Sequence, residues 1–132
     1  MTIRAGIFSF VIEQGTTTYF TIVYKDSNEE VVDLTGYHAR MQIRPDYADF
    51  VEEKYINLSS SLDDDGSGLY ITPKEGKIDV VMSAAKTELF DFDDGFYDLE
   101  LYRDCEFTDK YVLRLIQGKV RINREVTRGY DG

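Results

Sequence analysis

The sequence predicts an all-β fold, an antiparallel β-sandwich with one short helix near residues 83–90. Three observations predict it: side chains alternate with period two in several short runs, turn formers separate those runs, and one segment alone favours helical backbone.

The first run is Phe8, Phe10 and Ile12, ended by Gln14-Gly15, and the second is Tyr19, Thr21 and Val23, ended by Asp26-Ser27-Asn28. The clearest alternation comes next. Tyr37, Ala39, Met41 and Ile43 point to one face while His38, Arg40, Gln42 and Arg44 point to the other, as a half-buried strand requires, and Pro45 closes it. From Tyr47 to Leu58 the phases mix around Glu52-Glu53-Lys54, which reads as a loop leading into an edge strand. The turn Asp63-Asp64-Asp65-Gly66-Ser67-Gly68 and the turn Pro73-Lys74-Glu75-Gly76 precede the run Ile78, Val80 and Met82.

Ser83 is a helix N-cap residue ahead of Ala84, Ala85, Lys86, Glu88 and Leu89, so Ser83 to Phe90 reads as one or two helical turns crossing between strands. After Asp93-Asp94-Gly95 come Tyr97, Leu99 and Leu101, the turn Asp104-Cys105-Glu106, and a final pair of strands with Tyr111, Leu113, Leu115 and then Val120, Ile122 facing inward. The odd step between those last sets needs an extra residue, and Gly118 tolerates positive φ, so a β-bulge is expected at Gln117-Gly118.

At 132 residues the chain has room for one core. Residues 1–123 are assigned to the sandwich and 124–132 to a C-terminal arm. The single cysteine, Cys105, cannot form an internal disulfide, and no basic segment followed by an apolar stretch opens the sequence, so a soluble, unexported chain is expected. A net charge of −10 repels phosphate backbones, which argues against nucleic acid as a partner of the body. The charge is uneven, since Lys119, Arg121, Arg124 and Arg128 outnumber Glu125 and Asp131 in the last fourteen residues. A basic arm on an acidic body suits docking on an acidic neighbour, another copy of the chain included.

Few residues suit chemistry. The acidic turn offers Asp63 and Asp65 as candidate calcium ligands, yet with Gly66 at the sixth position of an EF-hand loop, Ser61 falls at the first and Thr72 where a bidentate Glu belongs. His38, the only histidine, lies in the outward phase of its strand and reads as a surface residue. Asp104 and Glu106 flank Cys105 and are expected to raise its pKa, which makes it a poor nucleophile. No phosphate-cradling motif occurs. No catalytic residue, cofactor or firm metal site is assigned, and the chain is not expected to be an enzyme. The ten tyrosines are too many to bury with every hydroxyl satisfied, so some belong at interfaces. Tyr102, Arg124, Arg128 and Tyr130 are the candidate partner contacts.

Several motifs then fall in a recognisable order: Asp33-Leu34-Thr35-Gly36-Tyr37 with Ala39-Arg40-Met41-Gln42-Ile43-Arg44, then Thr72-Pro73, then Gly76-Lys77-Ile78-Asp79-Val80 and Ser83-Ala84-Ala85. Gly95 with Tyr97-Asp98-Leu99-Glu100-Leu101 follows, then Arg114-Leu115-Ile116 with Gly118-Lys119-Val120, and Glu125-Val126-Thr127-Arg128. The series resembles small immunoglobulin-like structural proteins of tailed bacteriophages and is similar to the N-terminal domain of phage baseplate upper proteins. The resemblance implies an immunoglobulin-like sandwich located in the virion, assembled in the host cytoplasm, with other virion proteins or copies of itself as partners; a membrane partner is not expected, because no apolar run approaches the length of a membrane span. It implies scaffold residues and no active site. A calcium-dependent carbohydrate-binding sandwich is the alternative, motivated by the Asp63–Gly68 turn and by tyrosines able to stack on sugars.

Overall fold

A computed structural model of the chain describes residues 2–4, 6–45 and 54–126. The described strands are β1 Thr2–Arg4, β2 Gly6–Ile7, β3 Phe10–Glu13, β4 Thr18–Val23, β5 His38–Pro45, β6 Ile56–Ser59, β7 Gly68–Thr72, β8 Lys77–Met82, β9 Asp94–Asp104 and β10 Lys110–Asn123, with a 3-10 turn at Pro73–Glu75 and an α-helical turn α1 Ala84–Thr87. They form two sheets, β1-β4-β8-β7 and β2-β10-β9-β5-β6, with β3 continuing along β10 beyond β2. The all-β class is as the alternation predicts. Among the described residues no helix is long and apolar enough to cross a membrane.

The pairing is not wholly antiparallel. β1 lies parallel to β4, and β2 and β3 lie parallel to β10. A parallel pair cannot be closed by a tight hairpin, and here nearly the whole chain between β3 and β10 serves as the crossover. The N-terminal segment changes sheets at Gly6, whose φ of 127° is open to glycine and strained for other residues.

The core lies between the sheets. Ile22, Ile78, Val80 and Met82 of the smaller sheet and Ala39, Ile43, Leu99 and Leu101 of the larger one belong to one buried cluster. Burial alternates along β5, β8 and β9 as expected. On β4 the expected phase is reversed: Phe20 and Ile22 are buried, whereas Tyr19 is 59% exposed. Both phases of β4 carry apolar residues, so its sequence does not choose between them. Pairing with β8 chooses, since Phe20 sits opposite Val80 and Ile22 opposite Ile78.

The last two expected strands are one continuous strand, β10. Its register against β9 shifts between Arg114 and Ile116, which places the bulge at Leu115 and not at Gln117-Gly118. Leu115 and Ile116 are consequently both buried, and Val120 and Ile122 keep the new phase. Gly118 is not among the positive-φ glycines. It is glycine for a different reason, because a β-carbon there would overlap the backbone carbonyl of Phe8. Tyr111, expected inward, is 42% exposed near the hairpin end of the strand, where its ring meets Tyr37 edge-on.

Ser83 caps α1 as expected, its hydroxyl accepting the Lys86 N–H at 3.0 Å. The helix is shorter than Ser83–Phe90, because Phe90 and Phe92 turn into the core and stack edge to face there. β6 is the expected edge strand, beginning at Ile56 and so inside the Tyr47–Leu58 span read as a loop; residues 46–53 lie outside the described residues. β7, not singled out from the sequence, pairs with β8.

Candidate interaction surface

The acidic turn is tied into the fold. Asp65 accepts the Ser67 N–H at 2.9 Å and the Ser83 hydroxyl at 2.5 Å, and Lys86 pairs with Asp63. The Ser83 hydroxyl, helped by the Ser67 N–H, pulls the Asp65 carboxyl down to about 2. These bonds clamp the turn to the N-terminus of α1 and occupy carboxylate oxygens on which the calcium reading depends. Among the described residues no group of three or more His, Cys, Asp or Glu side chains is arranged to hold a metal ion.

Cys105 departs from expectation. Its thiol is pushed down, not up, chiefly by the backbone N–H groups of Phe107 and Thr108 directed at the sulfur. One flanking carboxylate, Asp104, is engaged by Lys110 at 2.8 Å. Direct hydrogen bonds to the sulfur therefore outweigh charges that are merely nearby in sequence.

Of the candidate partner contacts, Tyr102 is half-buried on the outer face of the larger sheet. The His38 ring lies 5.4 Å from its ring and the Arg40 guanidinium 4.9 Å from its centre. Arg124 donates to Asp93 of the same chain at 3.0 Å. The next residue, Glu125, donates its backbone N–H to the buried Gln14 side chain at 2.8 Å, so the chain just after β10 is fastened to the β3–β4 turn. Arg128 and Tyr130 lie outside the described residues.

The outer face of the larger sheet brings together residues from β5, β9 and β10. Strand register sets Arg40, Glu100 and Arg114 in one row, Gln42, Asp98 and Gln117 in the next, and Arg44, Phe96 and Lys119 in a third. Arg40 pairs with Glu100 at 2.9 Å and Arg114 with Asp98 at 3.5 Å. Burial, reinforced by the negative charge of Glu100, raises the Asp98 pKa.

At the Phe96 end of this face lies a depression of about 670 Å³, lined among others by Ile7, Arg44, Phe96, Arg114 and Lys119. A second depression of about 440 Å³ shares Phe96 and Lys119 with it and extends to Val11 and Arg121. The two form one groove beside β10. Its apolar residues are unusually open to water, with Ile7 82%, Val11 51% and Phe96 50% exposed. Three cations against the single carboxylate of Asp98 line the larger depression, on a chain whose net charge is −10. Lys119 has no carboxylate partner among the described residues, and Arg44 rests on the Tyr55 ring at 4.6 Å.

The sequence reading missed Ile7, Val11 and Phe96 as surface features. Their signal was present in the alternation: each occupies the outward phase of a strand whose inward phase, Phe8, Phe10 and Ile12 or Tyr97, Leu99 and Leu101, is already apolar. In the sequence Lys119 stands out only as part of the basic C-terminal stretch.

The chain matches no family model and no curated protein. Among solved structures it is similar to the N-terminal domain of phage TP901-1 ORF48, with a TM-score of 0.51 at 9% identity, over 94% of this chain and 100% of that one. At that identity the likeness is one of fold: the two share an all-β architecture over nearly their whole lengths.

Proposed function

We propose that the chain is a structural protein of a phage virion, an adaptor or decoration of the tail, baseplate or neck, that works through protein–protein contacts and catalyses no reaction. The observation that carries this reading is the fold shared with a phage protein domain along almost the entire chain. The ordered motifs from Asp33 to Arg128 support it, as does an exposed apolar groove lined by more cations than carboxylates on an otherwise acidic body. An immunoglobulin-like ancestry for the sandwich belongs to the same proposal.

In this role the rigid two-sheet body supplies shape, and the outer face of the larger sheet supplies contacts to other virion proteins. Tyr102 and the basic stretch from Lys119 onward are part of those contacts. Assembly takes place in the host cytoplasm, and nucleic acid and membrane are not partners. The test is mass spectrometry of purified particles of the phage that encodes the chain. Its peptides at a fixed ratio to a known tail protein are the expected result, and their absence from intact particles overturns the reading.

A further inference from the structure

We infer that the groove beside β10 receives the β9–β10 hairpin tip of a second copy of this chain, so that copies join head to tail. The inference rests on the proposed assembly role and names the surface and the partner.

The tip carries the features complementary to the groove. Phe107 is 87% exposed at the turn between β9 and β10, a large aromatic ring with little of its own chain to cover it. Asp104, Glu106 and Asp109 surround it in sequence, and Lys110 neutralises only Asp104, at 2.8 Å. The groove offers the reverse: the exposed apolar side chains of Ile7 and Phe96, with Lys119 and Arg44 also in its lining. An exposed apolar knob among more carboxylates than cations matches an exposed apolar socket whose larger depression holds three cations against Asp98. The larger of the groove's two depressions, at about 670 Å³, has room for an aromatic side chain.

Placement excludes self-insertion. Tip and groove lie on the same two-stranded ribbon, and Phe96 and Asp104 are eight residues apart along β9, or roughly 27 Å at about 3.4 Å per residue. A paired ribbon of this length cannot bend its tip back onto its own face, so the partner must be another molecule. Because knob and socket are different surfaces, the contact is heterologous. Each copy keeps one free knob and one free socket, a geometry that closes into a ring or continues as a filament. Repetition then offsets the weakness of a small contact.

The experiment is sedimentation of the full-length chain at low ionic strength over a range of concentrations, beside two variants, Phe107→Ser without the knob and Lys119→Glu with a damaged socket. The wild-type chain associates as concentration rises, and added salt weakens it. Each variant alone, with an unchanged melting temperature, associates more than about tenfold more weakly. Mixed together, the variants give a one-to-one dimer that grows no further, since each retains the half that the other lacks. A wild-type chain that stays monomeric, variants that associate normally, or a mixture that fails to pair each overturns the inference. Absence of the chain from particles would remove the virion reading and leave this solution result standing, whereas particles that incorporate Phe107→Ser at the wild-type ratio would remove the head-to-tail contact alone.

Discussion

Gly118 of β10 lies directly beneath the main chain of Phe8, so closely that a β-carbon at residue 118 would overlap the Phe8 carbonyl. The first and last parts of the chain meet here: Phe8 donates its N–H to Gln117 at 2.9 Å, and Ser9 accepts the Lys119 N–H on its hydroxyl at 3.2 Å. This crossing forms one wall of the groove.

Substituting Gly118 therefore forces backbone apart. Gly118→Ala is expected to cost roughly 2 kcal/mol or more, in the range of overpacked sites, with Gly118→Val worse. Asn tolerates positive φ better than Ala does, so Gly118→Asn distinguishes overlap from φ strain. Thermal melts should rank Asn no better than Ala, and a near-wild-type Asn variant would show that overlap is not the cause.

The hydroxyl of Tyr97 donates to the Phe8 carbonyl at 2.6 Å, and burial raises the phenol's pKa. Tyr97→Phe keeps the ring's edge-on contact with Phe10 but leaves that carbonyl without this donor. The expected loss is about 1–3 kcal/mol by urea unfolding. An unchanged midpoint would mean that the carbonyl finds another partner.

Met41 is 3% exposed in the core, while Gln42 faces outward and bonds to Asn57 at 2.7 Å. Met41→Asp places an unpaired carboxylate among apolar side chains and is expected to destabilise by at least about 3 kcal/mol. Gln42→Thr should stay within about 1 kcal/mol. Comparable losses from both, measured by calorimetry, would contradict the phase of β5.

The Asp65–Ser83 bond makes a prediction about acid. The folded-state pKa of Asp65 is depressed to about 2, so its contribution to stability is present above the ordinary carboxylate value of about 4 and is lost as pH falls toward about 2. The group is solvent-exposed, which keeps the effect small. Carboxyl NMR titration should place Asp65 near the low end in the wild type and move it upward in Ser83→Ala. No movement would mean that the Ser83 hydroxyl is not what holds it down.

Much of the fold was legible because burial acts locally on a strand. Ala39, Met41 and Ile43 alternate with charged or polar neighbours, so only one face can enter a core, and the same holds for Leu99 and Leu101 against Asp98 and Glu100. Tyr19 shows where legibility stopped: with apolar residues in both phases of β4, the choice fell to Val80 and Ile78 across the ladder. The bulge was expected from the odd spacing within β10, but its position was set by β9, which leaves Leu115 as the extra residue. At Cys105 the acidic neighbours in sequence do not govern the sulfur, whereas the folded turn's N–H groups do.

The amino-acid sequence by itself determined that the chain is all-β, where most strands run, that a capped helical turn follows Ser83, and that the body is acidic with cations gathered toward its end. Each follows from steric preference, periodicity or composition, which need no knowledge of distant residues. Only the tertiary structure decided that β2 and β3 run beside β10, in the parallel pairing that sets Ile7 and Val11 near Phe96 and Lys119. Ser9 and Lys119 are 110 residues apart, and no local signal encodes such a pairing. The groove exists because β2 and β3 pair with β10, and that is settled by which arrangement buries Phe10, Ile12, Val120 and Ile122 together.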